Sequence, residues 1–328
     1  PGSGAGAVPV AEDVRRRATE AALMQLGHGA TALRSHVRVG GPDRLVRLDA
    51  VLQARLSLRG LCEVTTVAVP GVLTGPAGAA GLAALRDALT MGADVVGGRP
   101  DLDPDPAGHV EAVLALAAEF GRPADLHTDA ADPALLTDLA TMAGRSDGTA
   151  LTVGPCAGLG RLPREVAVRA AEALATAGVA VTCLPQGGCG DAGPWGAAPV
   201  RPLRAAGVRL TAGSGALRDA SNPVGRGDPL EAAYLLASQG GLDAAEAYGA
   251  VSTAARAAMG LPEVRVEAGF PAELLAVRGE GLAGVLSQAY SRMVIHRGRV
   301  VARTSAVREY CDSDSGASSA LPRQGRPG

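Results

Sequence analysis

Two patterns alternate along most of this chain, and that alternation restricts the fold more than any other feature. Segments with apolar residues at helical spacing, such as "AEDVRRRATEAALMQL", "GLAALRDALTMG" and "PREVAVRAAEALATAG", each lead into a short apolar run with strand character. The strand runs are "ATALRSHVRV", "CEVTTVAVP", "ADVVGGRP", "PADLHTD", "TALTVGPC", "VAVTCLPQ" and "VRLTAGSGA", with Gly or Pro at most joints. Strands that are apolar on both faces and separated by helices predict a parallel sheet. No Gly-rich phosphate fingerprint follows an early strand, so a doubly wound dinucleotide fold fits poorly. The pattern predicts an α/β fold: a TIM-type (β/α)8 barrel that lacks its first strand, with a small C-terminal β appendage.

Four parts are expected along the chain. Residues 1–10 form a loop, 11–262 the barrel, 263–310 a small β-sandwich element and 311–328 a disordered tail, the last because "CDSDSGASSALPRQGRPG" has few bulky apolar residues. Within 263–310, "AELLAVRG", "GVLSQAY" and "RMVIHRGRVVART" all alternate like strands. A barrel of seven strands has two edges with unpaired backbone groups. Either a segment preceding Pro1 or a partner supplies the missing strand, and the barrel is expected to close imperfectly around the gap.

Composition narrows the function. Aromatic residues make up 2% of a chain that is 47% hydrophobic, so the core must be built from Ala, Val and Leu. The net charge of −2 provides no basic field for nucleic acid and no anchor for anionic lipid. All 31 basic residues are arginine, which excludes Schiff-base lysine chemistry, a P-loop lysine and a carbamylated-lysine metal bridge. The five cysteines, Cys62, Cys156, Cys183, Cys189 and Cys311, are odd in number and scattered, as expected for free thiols in a reducing cytoplasm. No apolar run reaches the roughly 18 residues needed to span a bilayer.

The stretch "DLHTDAAD" (125–132) ends a strand with a histidine and delivers it into a polar loop, the way a barrel hydrolase presents a metal ligand. Together with "GHGATALRSHVRV", "ALTMGADVVGG", "ADLHTDAADP", "GVRLTAGSGALRDASNPVGRGDPLEAA" and "SRMVIHRGRVVART", it resembles the cytosine deaminase-like branch of the amidohydrolase superfamily over nearly the whole chain. The resemblance implies a TIM barrel with a small β-sandwich built from both chain ends. It also implies a divalent iron or zinc ion that activates water, which displaces ammonia from a pyrimidine-type ring or opens an amide.

The positions that resemblance implies are only partly occupied by the implied residues. His127 matches the ligand of the fifth strand. The His-x-His pair of the first strand has no counterpart in this chain. Ala130 stands where a proton-shuttling glutamate is implied, Gly154-Pro155 where a Ser-His pair is implied, and Gly215 where a ligand aspartate is implied; Asp219 matches a later aspartate.

One histidine holds a divalent ion poorly against water, so loss of ordinary deamination is expected, with no cofactor. The alternative is zinc or iron on His127, with further ligands from an N-terminal segment.

The residues left to do chemistry are His127, Asp129 and Cys156 as candidate catalytic groups. Asp129 is a candidate base or an orienter of the imidazole. Cys156, like Cys183 and Cys189, is either a thiol nucleophile or soft ligand or a buried small hydrophobe. Gln186 and Ser214 are candidate substrate contacts at the barrel mouth. Arg34 and His36 lie on one strand face by period two, so Arg34 balances an anionic ligand or pairs with an acid inside the barrel. His28 reads as a helix-end cap partner. His109 and His296 read as surface or β-domain residues, and "DLDPDP" (101–106) as a solvated loop.

Three functions follow. The leading one is a divergent member of the family with a small-molecule pocket, either binding only or running metal-free acid/base chemistry. The second is a metal-dependent C–N hydrolase, and the third a non-catalytic assembly subunit. The family resemblance also implies a homo-oligomer.

Overall fold

The computed structural model describes residues 10–146, 148–187, 199–215, 217, 224–288 and 291–306. Helix α1 (Val10–Gly27) is followed by β1 (Ala32–Arg38), α2 (Val46–Ser57), β2 (Glu63–Val69), α3 (Gly75–Met91) and β3 (Val95–Gly98). Then come α4 (Pro106–Phe120), β4 (Ala124–Thr128), α5 (Pro133–Arg145), β5 (Leu151–Pro155), α6 (Arg164–Thr176), β6 (Ala180–Cys183), α7 (Val200–Ala205) and β7 (Arg209–Ala212). Helices α8 (Pro229–Ser238), α9 (Ala244–Val251) and α10 (Thr253–Ala258) close this part, and β8 (Leu274–Val277), α11 (Gly281–Gln288), β9 (Arg292–His296) and β10 (Arg299–Thr304) complete the chain.

Strands β1 to β7 form one parallel sheet in sequential order, each preceded by its helix as the sequence pattern predicts. The sheet is curled, since Arg34 on β1 reaches Asp125 on β4 and Thr152 on β5 across its concave side. Among the described residues β1 and β7 do not pair with each other, so the curl is a TIM-type half-barrel with two open edges.

Local chemistry places the helices. Three of them start at an Asp-Pro step, where the aspartate caps the helix and proline occupies the first turn: Asp105 accepts from the Gly108 N–H, Asp132 from Ala134 and Asp228 from Leu230. The core between helices and sheet is aliphatic, with Leu48, Leu85, Leu126, Leu136, Leu139 and Leu174 fully buried.

The C-terminal sheet is antiparallel in the order β10-β9-β8. It differs from the sequence expectation at "GVLSQAY", which falls largely on helix α11. Leu282, Val285 and Leu286 recur at helical spacing and pack on the main core, and that burial overrides the alternation. The small sheet is joined to the barrel by Arg292, which donates to both carboxylate oxygens of Asp228 at 2.8 and 2.6 Å. The predicted tail from Cys311 lies outside the described residues, as do Cys189 and Asp219. Among the described residues no helix is long and apolar enough to cross a membrane.

Candidate functional site in the half-barrel

A cavity of about 1240 Å³ is lined by the concave side of the sheet and, around the open edge of β1, by α1, α2, α9 and α10. Its walls carry Arg34, His36, His127 and Ser214, four of the residues singled out from sequence, together with Asp125.

Strand parity explains the grouping. Alternate residues point to one face, so Arg34, His36 and Arg38 of β1 face inward together, as do Asp125 and His127 of β4. Asp125 is the functional side chain that sequence reasoning passed over. Its position two residues before His127 on the same strand was the available signal.

At the floor of the cavity Asp125 accepts from Arg34 Nη1 at 2.7 Å and stands 3.1 Å from His36 Nε2. Arg34 also donates to the Ala258 carbonyl of α10 at 3.1 Å, which fixes its guanidinium from the far side. The Arg34 and Asp125 side chains are 11% and 9% exposed, whereas His36 is 41% exposed and looks into the cavity. Burial pushes the Asp125 carboxyl up, but the neighbouring His36 and Arg34 overcome this and hold it at about 2. The floor is therefore a fixed carboxylate beneath a cation and an imidazole.

Asp129, Cys156 and Gln186 do not line this cavity. Asp129 gives its carboxylate to Arg161 and to the Gly158 N–H, at 3.0 Å for the latter, and so ties the loop after β4 to the turn after β5. Cys156 is fully buried beneath that loop, and burial drives its thiol far up; Cys183 is likewise buried and pushed up to about 12. Gln186 Nε2 donates to the Asp228 carbonyl and to Glu231. Ser214 lines the cavity with its Oγ 3.4 Å from Gln25 Oε1.

Two sequence expectations are corrected. His109 is not a surface residue: it is fully buried on α4, with Nδ1 2.8 Å from Asp103 and Nε2 accepting the Arg99 N–H at 3.0 Å. That network fixes the tautomer with the proton on Nδ1. The "DLDPDP" loop is not simply solvated either. Asp103 is buried and accepts from the Leu73 N–H and from Thr74, while Asp101 accepts from Thr128 Oγ1 and the Asp129 N–H. Burial raises the Asp103 carboxyl, but these hydrogen bonds together lower it well below the usual carboxylate range; burial also lowers His109 and keeps it neutral.

The positions where other residues were implied sit in tightly packed backbone. Ala130 is fully buried with a left-handed φ of 56°. A Cβ on Gly154 would meet the Thr182 carbonyl oxygen at 2.3 Å, and one on Gly215, at φ 68°, would meet that of Gly187 at 2.3 Å. Among the described residues no three His, Cys, Asp or Glu side chains stand close enough together to hold a metal ion.

A parallel curled sheet with its cavity lined from strands around the curl is the layout of a (β/α)-barrel enzyme. No protein-family model matches the chain. It is 26% identical over 312 residues to a pterin deaminase of Rhizobium rhizogenes, covering 90% of this chain and 71% of that protein. Among solved structures it is 30% identical to N-isopropylammelide isopropylaminohydrolase from Burkholderia multivorans, with a TM-score of 0.77, covering 88% of this chain and 75% of that one. It also shares the fold of 5-methylcytosine deaminase from Klebsiella pneumoniae, with 24% identity, a TM-score of 0.81 and coverage of 93% and 78%. The chain belongs to the amidohydrolase superfamily, in its cytosine deaminase-like branch.

Proposed function

We propose that the half-barrel cavity is a binding site for a small amino- or oxo-substituted heterocycle or cyclic amide, in a protein that has left the ordinary metal-dependent deamination of its lineage. The ligand class follows from the relatives, whose activities are deamination of pterin and 5-methylcytosine and aminohydrolysis of N-isopropylammelide.

The departure from that chemistry rests on one observation. The positions implied for the glutamate, histidine and aspartate are Ala130, Pro155 and Gly215, none of which offers a side-chain donor, and a Cβ at Gly215 would meet the Gly187 carbonyl oxygen at 2.3 Å. Zinc or iron at an open site wants three or four fixed nitrogen or oxygen donors. Of the acids and histidines in the cavity wall, Asp125 is already committed to Arg34 and His36, so these residues do not fit the ion. No step is assigned to a metal.

The chain's own groups divide the work by position. Asp125, held ionised, fixes Arg34 and orients the His36 imidazole. His36 and His127 face the cavity and are the imidazoles placed to exchange a proton with a ligand. Ser214 offers a hydroxyl to a ring edge. Asp129 shapes the rim through Arg161 and Gly158.

A second assignment, hydrolysis of a C–N bond with a metal on His127, is favoured by the relatives' activities and by the position of His127 on the cavity wall. It requires ligands from beyond the described residues. Isothermal titration with pterin, cytosine and N-isopropylammelide, with ammonia followed in parallel, separates the two. Binding that weakens in His127→Ala with no ammonia formed is the expected result. Catalytic ammonia release that disappears in His127→Ala supports the second assignment instead.

A further inference from the structure

The charges around the cavity do not cancel. Its wall carries three acids, Glu20, Asp125 and Glu273. Each is already engaged: Glu20 with Arg16, Asp125 with Arg34 and His36, and Glu273 with His296 and the Arg297 N–H. The wall also carries Arg38 and Arg99. Neither guanidinium has a hydrogen-bond or ion-pair partner among the described residues.

Both sit at strand ends, Arg38 exposed and Arg99 half-buried. Arg38 ends β1, two positions beyond His36 on the same inward face. Arg99 follows β3 directly, and its N–H donates to Nε2 of His109, which is itself held by the buried Asp103. The nearest acid in sequence, Asp101, accepts from Thr128 and the Asp129 N–H and makes no ion pair with Arg99. β2 alone separates the two strands, so the two cations stand at the same, C-terminal end of next-but-one strands.

A concave site whose acids are all paired, and which keeps two unpaired arginines beside its paired ones, focuses a positive field inward. Guanidinium groups recognise carboxylates through charge-assisted hydrogen bonds. We propose that Arg38 and Arg99 form an anion subsite at the cavity mouth, and that the ligand is a heterocycle bearing a carboxylate. This rests on the heterocycle assignment above and specifies its substrate class.

The test uses matched pairs of probes: pterin against 6-carboxypterin, and cytosine against 5-carboxycytosine, each titrated calorimetrically into the full chain. The expected result is binding of the carboxylate about 10-fold or more tighter than its neutral parent, a difference of about 1.4 kcal/mol. That ratio falls to about one in the Arg38→Gln/Arg99→Gln double variant, and shrinks in raised salt for the wild type. A thermal melt of the double variant matching the wild type shows that the fold is intact. Equal affinities within each pair, or a preference that survives the double variant, overturn the anion subsite and leave the heterocycle assignment standing. No binding of any of the four probes overturns both.

Discussion

Arg34 and Asp125, 91 residues apart in sequence, meet at 2.7 Å across the concave side of the sheet, and this contact joins the first strand to the fourth. Both side chains are almost entirely buried, so each depends on the other to offset the cost of desolvation. Removing one partner strands a buried charge. Asp125→Ala is expected to cost about 3–5 kcal/mol in urea unfolding, while Arg34→Met together with Asp125→Leu costs less than either single change.

The same pair sets an acid limb of stability. Asp125 has an ordinary value of 3.8 and is held at about 2 in the fold. Because the folded value is the lower one, its contribution is complete above about pH 4 and is lost as pH falls toward 2. The shift corresponds to about 2 kcal/mol. Stability measured from pH 5 down to pH 2 should fall less steeply in Asp125→Asn than in the wild type, once the lower starting stability of the variant is subtracted.

His109 adds a limb at milder pH. Its folded value lies below 6.5 because it is buried, so the unfolded chain takes up the proton first. Stability from this group is present above pH 6.5 and declines as pH drops below it. His109→Leu removes that dependence. It also leaves the Arg99 N–H and Asp103 without their partner, at a cost of about 1–3 kcal/mol at pH 7. Chemical denaturation at pH 7.5 and at pH 5.5 reads both effects.

Gly215 sits with φ 68° and with the Gly187 carbonyl 2.3 Å from where a Cβ would be. Restoring an aspartate there should therefore cost stability rather than rebuild a ligand. Gly215→Asp is expected to lower stability by about 1–3 kcal/mol, from backbone strain and the clash. A Gly215→Asp protein as stable as the wild type would show that the loop after β7 has room the packing denies it.

The thiols give a fifth check. Cys156 and Cys183 are fully buried, and their thiolates are disfavoured at neutral pH. Disulfide-reagent labelling of the native protein should have the same fast phase in Cys156→Ala and Cys183→Ala as in the wild type. The missing thiols should show only after denaturation.

The sequence revealed the fold and part of the site. The helix and strand periods are local properties, so seven strands, their order and the shared face of Arg34 and His36 could be read directly from "ALRSHVR" and its counterparts. Ser214 and His127 were placed at the cavity by their positions at or beyond strand ends. The pairing of Arg34 with Asp125, rather than with another acid, depends on the curl of the sheet, which no local pattern encodes. His109 looked like a surface residue because a histidine on a helix carries no mark of the Asp103 that buries with it. Helix α11 was hidden because Val285, Ser287 and neighbouring residues alternate in polarity, and only packing against α8 and α9 decides the period.

The central claim is that the chain keeps the barrel and pocket of a C–N hydrolase without its metal chemistry. Elemental mass spectrometry on protein purified without chelator, for the wild type and His127→Ala, tests it most directly. The predicted result is substoichiometric zinc and iron in both proteins. A full equivalent in the wild type that is lost in His127→Ala would contradict the claim and place the protein among the metal-dependent deaminases it resembles.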